Sequence, residues 1–175
     1  MPDPIRIRTV AALDEGAIEG LCDVLIDCVE GGASVSFMRP MTRDKARAFW
    51  RKVAAGAEAG ERIVIVAEDA DGTILGTAQV VNAEPENQPH RADVAKMLVR
   101  RSARKRGVGE ALLKAAEEAA LAAGKTLLVL DTASPDAERL YARAGWQRVG
   151  EIPDYALMPD GAPCATIVFF KSLRG

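Results

Sequence analysis

Apolar and polar residues alternate along "IRIRTV", residues 5–10, with the period of two that a half-buried strand requires. The period then lengthens. Ala17, Ile18, Leu21, Leu25 and Cys28 recur at helical spacing until Gly31-Gly32 ends the run. After the loop "GGASVSFM", Thr42 is placed as the N-cap of a second helix, with Ala46, Phe49, Trp50 and Val53 on one stripe. "RIVIVAED" and "TILGTAQVV" return to strand chemistry and are joined by the hairpin signal "ADG". "ADVAKMLV" predicts another strand, and the helix behind it ends at Gly124. "TLLVLD" is a continuous apolar run of the kind buried on both sheet faces. Ser134-Pro135-Asp136 opens a last helix, with Ser134 as N-cap and Pro135 at its first position. Gly145 closes that helix and sets Trp146 to pack back over it. "QRVGEI" and "ATIVFFKSL" follow as two strands. With no repeats, linkers or low-complexity tracts, the pattern predicts one mixed α/β domain over residues 1–175.

Charge and composition remove several function classes. A net charge of −2 argues against a dedicated nucleic-acid binder. His90, the only histidine, lies in the polar loop "NAEPENQPHR", which argues against a Ser-His-Asp triad and a histidine-ligated metal. Cys22, Cys28 and Cys164 form neither a disulfide framework nor a metal spacing, so no metal is expected and the thiols read as buried. "MPDPIRIRTV" carries no apolar signal core, and no run is long enough to span a bilayer. The expectation is a cytoplasmic protein, monomer or homodimer, without a nucleic-acid or membrane partner.

One stretch carries chemistry. "RRSARKRGVGEALL", residues 100–113, places five cations in seven positions before Gly-Val-Gly and an apolar helix. The cations could form a patch for phosphodiester backbones. Alternatively, the chain wraps so that backbone N–H groups and the free helix N-terminus face one diphosphate. Arg104-x-x-Gly107-x-Gly109 favours the second reading, because it puts glycines where backbone must approach an anion closely. The helix is amphipathic in register, with Val108, Leu112, Ala115, Ala116 and Ala119 on one stripe and Glu110, Lys114, Glu117 and Glu118 on another. The motif is neither a P-loop nor a dinucleotide fingerprint, and a solvated turn remains the alternative. A right-handed crossover would leave the flanking strands parallel, with Asp131 at their carboxyl edge, where ligands of α/β sheets gather. Tyr141 lies on the stripe Ala137, Leu140, Tyr141, Ala144 and fits a core tyrosine equally well.

"LVRRSARKRGVGEALL" resembles the acetyl-CoA pyrophosphate loop of the GNAT superfamily of N-acetyltransferases, and "SPDAERLYARAGWQRVG" resembles that family's later motif. Ser134 stands where asparagine is usual, and Trp146 replaces the usual phenylalanine. "EGGASVSFM", "RADVAKMLV", "LDTASPDAERLY", "RVGEIPDYALMPDG" and "TIVFFKSL" are similar, in order, to segments of the tabtoxin-resistance acetyltransferases. The resemblance implies a twisted, mostly antiparallel sheet of about six or seven strands with a splayed parallel pair, flanked by about four helices. It implies acetyl-CoA as cosubstrate and direct transfer to a primary amine, of a small toxin- or antibiotic-like molecule or of a protein; a non-catalytic acyl-CoA-binding module is a further alternative. Tyr141 would serve the departing sulfur as acid, with Asp131 and Asp93 as candidate bases; the latter replaces a glutamate. Acetyl-CoA would lie along Met97, Leu98 and Val99, over Arg104, Lys105, Arg106, Gly107, Val108, Gly109 and Glu110, and beside Ser134 and Asp136. Ser34, Ser36, Phe37 and Tyr155 would meet the acceptor.

Overall fold

The computed structural model describes residues 3–174, so Met1, Pro2 and Gly175, which the expected domain of 1–175 includes, lie outside the described residues. Seven strands form one sheet: β1 (Arg6–Val10), β2 (Arg62–Glu68), β3 (Ile74–Asn82), β4 (Arg91–Val99), β5 (Leu127–Thr132), β6 (Gln147–Leu157) and β7 (Pro163–Ser172). Their order is β1-β2-β3-β4-β5-β7-β6. Every pairing is antiparallel except β4 with β5, which run parallel and pair only from Arg91–Asp93 to Leu127–Val129. Beyond Asp93 the two strands diverge. No helix among the described residues is long and apolar enough to cross a membrane.

Helices α1 (Glu15–Glu30) and α2 (Arg43–Glu58) cover one face of the sheet, and α3 (Val108–Ala122) covers the other. The short α4 (Pro135–Arg143) lies on the α3 side through Tyr141, Leu140 and Ala137. Local chemistry fixes the helix starts. Asp14, Thr42 and Ser134 each accept a hydrogen bond from a first-turn amide, at 2.8, 3.2 and 3.2 Å. The period-two pattern of β2 divides its side chains between the two cores, Ile65 and Ala67 toward α3, Val64 and Val66 toward α1 and α2.

Strand β4 breaks that rule at its middle. Thr77 pairs with Leu98 and Gln79 with Ala95, so Ala78 alone opposes both Lys96 and Met97. This β-bulge shifts the alternation by one residue. Ala92 and Val94 pack toward α3, as do Met97 and Val99 beyond the bulge, while Leu98 joins the opposite core.

One expectation needs correction. Strand β5 is not buried on both faces: Leu128 and Leu130 are buried, but Leu127 and Val129 are half-buried, because α1 and α2 cover β2, β3 and β4 and leave the second face of β5 open. Glu117, on the polar stripe of α3, is half-buried. It accepts from Trp146 Nε1 at 3.2 Å and from Lys171 Nζ at 2.5 Å, pinning the helix to the β6–β7 end of the sheet.

Candidate functional site

The wrap before α3 binds its cations unequally. Arg100 donates to Ile74 O at 2.6 Å and faces Asp23, and Arg101 holds Asp27 through its backbone amide at 2.8 Å and its guanidinium at 3.1 Å. These two arginines therefore fasten the turn to α1. Burial would raise the Asp27 carboxyl, but the Arg101 hydrogen bonds and charge hold it below its ordinary value. Arg104 Nε donates to Val99 O at 3.3 Å, and Lys105 and Arg106 are exposed. A broad phosphodiester surface thus loses two of its five charges to internal pairing.

The backbone at the wrap is left-handed twice, at Lys105 (φ 61°) and at Gly107 (φ 79°), the N-cap of α3. Gly107 offers no side-chain cap, and the first amide of this turn with an internal acceptor is that of Ala111, 3.1 Å from Gly107 O. Among the described residues the amides of 105–110 donate to no other residue. They are six consecutive donors at the positive end of a fifteen-residue helix. The residues fit a diphosphate.

A cavity of about 1190 Å³ fills the opening between β4 and β5 and runs to this wrap. Tyr141, Asp131 and Asp93 all line it. So do Met97, Leu98, Val99, Arg104, Lys105 and, from the helix start, Gly107, Val108, Gly109 and Glu110, with Ser134 and Asp136 on the opposite wall. Ser34, Ser36 and Tyr155 border the same space. Arg106 and Phe37 do not line it. Arg106 points to solvent on the outside of the wrap, and Phe37 packs edge-on against Phe49 with ring centroids 5.2 Å apart. A smaller depression of 410 Å³ above α1 and α2 is lined by Glu19 and Arg47, which already pair with each other.

Tyr141 is 4% exposed, wedged between Trp146 and Phe169 at centroid distances of 5.9 and 5.7 Å. Burial, assisted by the charge of Asp131, pushes its phenol up to about 12. The phenol therefore keeps its proton and serves as a hydrogen-bond donor facing the cavity. Asp131 is exposed to the cleft, and its Oδ2 accepts from Thr166 Oγ1 at 2.7 Å. Asp93 is already engaged, its Oδ1 accepting from Arg91 Nη1 at 2.7 Å. Ser134 is occupied as the α4 cap, so its hydroxyl supports that wall through the helix.

The sequence reading missed Lys96 and Thr166, which also line the cavity. Thr166 carries no local signal, because its partner is thirty-five positions away. Lys96 does: the spacing of three between the apolar positions Val94 and Met97 betrays an extra residue in a period-two strand.

Residues 22–146 match the family described as the acetyltransferase (GNAT) family. A curated protein of Azospirillum brasilense, called an uncharacterized N-acetyltransferase, is 32% identical over 129 residues, 73% of this chain and 74% of its own. An N-acetyltransferase structure from Staphylococcus aureus superposes with a TM-score of 0.81 at 18% identity, covering 98% of this chain and 99% of that one. A Salmonella typhimurium protein, solved with its cofactor acetyl-CoA, gives 0.79 at 19% identity, covering 98% and 95%. At such identities the two structures speak for the fold.

Proposed function

The chain belongs to the GNAT family of acetyltransferases, and from that membership we propose that it moves an acetyl group from acetyl-CoA directly onto the primary amine of a small molecule. The observation that carries this reading is that one cavity is bordered by a wrap of unpartnered amides at the start of α3, a proton-holding phenol and an accessible carboxylate. Bound acetyl-CoA would supply a thioester as acyl donor and a sulfur leaving group. The amides of 105–110, with Arg104 and Lys105, hold its diphosphate, while the strand edge at Met97, Leu98 and Val99 aligns the arm that follows.

The acceptor amine is mostly protonated at neutral pH, with an ordinary pKa of about 8 for an α-amine, and only its neutral form attacks. Asp131 takes that proton: its carboxylate reaches the cleft, and Oδ1 makes no hydrogen bond with another described residue. Tyr141 Oη donates toward the departing sulfur. Surrendering its proton to a thiolate of ordinary pKa, about 8.5, would be uphill by about 5 kcal/mol, so it acts by hydrogen bonding rather than by full transfer. Arg91 and Asp93 form a fixed pair at the narrow end of the cleft.

The narrower resemblance to tabtoxin-resistance enzymes makes an amino-acid-like toxin or antibiotic of the tabtoxinine-β-lactam type the first acceptor to try, in a cytoplasmic resistance role. The test is a CoA-dependent rise in melting temperature, followed by thiol release from acetyl-CoA across an amine panel that includes that compound. Stabilisation by CoA with thiol release for at least one small amine supports the reading. Release only with peptide or protein amines would redirect it, and tight CoA binding without any turnover would leave a binding module.

A further inference from the structure

The half-buried ammonium of Lys96 faces the cavity without a counterion. Its Nζ donates to Ser36 Oγ at 2.9 Å and lies 5.9 Å from the centroid of the Phe49 ring. No carboxylate of the described residues comes within the 4.0 Å of an ion pair. A buried cation held by one neutral hydroxyl and an aromatic face is incompletely compensated. Both partners of the hydrogen bond are also strained, Ser36 at φ 78° and Lys96 at φ 50°, in a region that side-chain-bearing residues avoid. Strain of this kind persists where the surrounding fold enforces it and gathers at functional sites. Here the β-bulge enforces it, since Lys96 is the additional residue opposite Ala78.

The ground behind Lys96 is rich in donors and poor in acceptors. Gln79, opposite Ala95 in the sheet, accepts from Arg62 Nη1 at 2.9 Å. Gln79 Nε2, Arg62 Nε and Trp50 Nε1 are buried with no acceptor. Burial and the charge of Arg62 press the Lys96 amine below its ordinary value, and Asp131 across the cleft opposes them. One wall of the acceptor space is therefore positive at Lys96, and the other is negative at Asp131.

We propose that Lys96 is the specificity residue of the acceptor site, binding a carboxylate carried by the acceptor while the acceptor's amine faces Asp131. The substrates are then amino acids or amino-acid-like zwitterions, and simple alkyl amines and polyamines are disfavoured. This rests on the acetyl-transfer reading. A charge-assisted hydrogen bond in a half-buried site discriminates strongly against the analogue that lacks the anion.

Wild type, Lys96→Gln and Lys96→Arg are assayed for thiol release from acetyl-CoA with L-amino acids, each beside its carboxamide, and with alkyl amines. In parallel, the N-acetylated amino acids and their carboxamides are added to the CoA-loaded proteins and melting is followed. Wild type is expected to favour the acid over its carboxamide by about tenfold to a hundredfold in kcat/KM. Lys96→Gln brings that ratio close to unity and abolishes the extra stabilisation by the acetylated acids, with KM for acetyl-CoA unchanged. Lys96→Arg retains most of the preference and most of kcat, the second of which a lysine acting as a base would not allow. A ratio that persists in Lys96→Gln, or a wild type that favours carboxamides or alkyl amines, overturns the inference and leaves acetyl transfer standing. No release with any panel member while CoA still stabilises the protein also overturns it. Loss of the CoA effect as well sinks the underlying reading.

Discussion

Tyr141 sits where one environment serves both packing and the proposed chemistry. The ring is a core residue between Trp146 and Phe169, as its stripe on α4 requires, and the same side chain borders the cavity. Periodicity could therefore never separate the packing reading from the chemical one. Tyr141→Phe keeps the ring and removes the donor. It should lower kcat about a hundredfold or more, within the range for a positioned acid, while the Kd for CoA measured by calorimetry stays nearly unchanged. Equal loss in both would mean that the hydroxyl binds rather than assists departure. The two aspartates separate by the same comparison. Each carboxylate has one oxygen engaged, but Asp93 is paired with the Arg91 cation whereas Asp131 meets only the neutral Thr166 hydroxyl. Asp131 is therefore the freer to turn to an incoming ammonium, and Asp131→Asn should cost more in kcat than Asp93→Asn; the reverse order would move the proton acceptor to Asp93.

Elements place these residues, and some of that placement is written locally. Caps at Asp14, Thr42 and Ser134 and the glycine at 107 are short-range signals, and the chain obeys them. At Gly107 a Cβ would meet nothing within 4 Å, so the only cost of a side chain there is the left-handed backbone. Gly107→Ala should lose about 1–2 kcal/mol of stability in urea melts, and Gly107→Asn less. If the alanine variant relaxes by rotating out of that conformation, the amides of 108–110 leave their common direction, and restoring them on binding weakens CoA by about tenfold. A CoA affinity equal to wild type would mean that the wrap tolerates the strain without moving.

What was not legible at this scale depends on pairing across the sheet. The open face of β5 arises from where α1 and α2 pack, and the bulge at Lys96 and Met97, hinted at by the three-residue spacing of Val94 and Met97, is fixed in position only by register against β3. A further long-range device sits at the β1 edge, where Glu68, only 3% exposed, binds Arg8 at 2.6 Å and Arg6 at 2.5 Å. The Arg8 hydrogen bond, then that of Arg6, holds its carboxyl below the usual value against the opposing effect of burial. A depressed folded pKa gives stability that is present above the unfolded value, about 4.3, and is lost as pH falls through the folded one. Glu68→Gln should therefore destabilise the protein by about 1–3 kcal/mol at neutral pH. The gap to wild type should begin to narrow in urea melts as pH falls below about 4.3 and close once pH is below the depressed folded value. A gap independent of pH would assign the cost to packing instead.

At the scale of the whole molecule, the site exists because one sheet stops pairing halfway. β4 and β5 share three residue pairs, while β3 pairs along β4 on both sides of its bulge and β7 pairs along all of β5, so the divergence is enforced by neighbours rather than by flexible chain. Past Asp93 the inner edge of β4 faces a cavity instead of a strand, which leaves a polar backbone edge within an otherwise paired sheet. A ligand arm lying along Met97, Leu98 and Val99 would complete that edge as an added strand does. Hydrogen exchange reads this directly. Saturating CoA should slow amide exchange at residues 97–99 and 105–110 together, because one molecule spans both. Exchange in β2 and β1, on the far side of the sheet, should change only as far as global stability rises, which at about a hundredfold excess over Kd is about 2.7 kcal/mol. Protection confined to 105–110 would mean that the diphosphate is held while the arm leaves the cleft, and the joint between splayed strands would then have no part in binding.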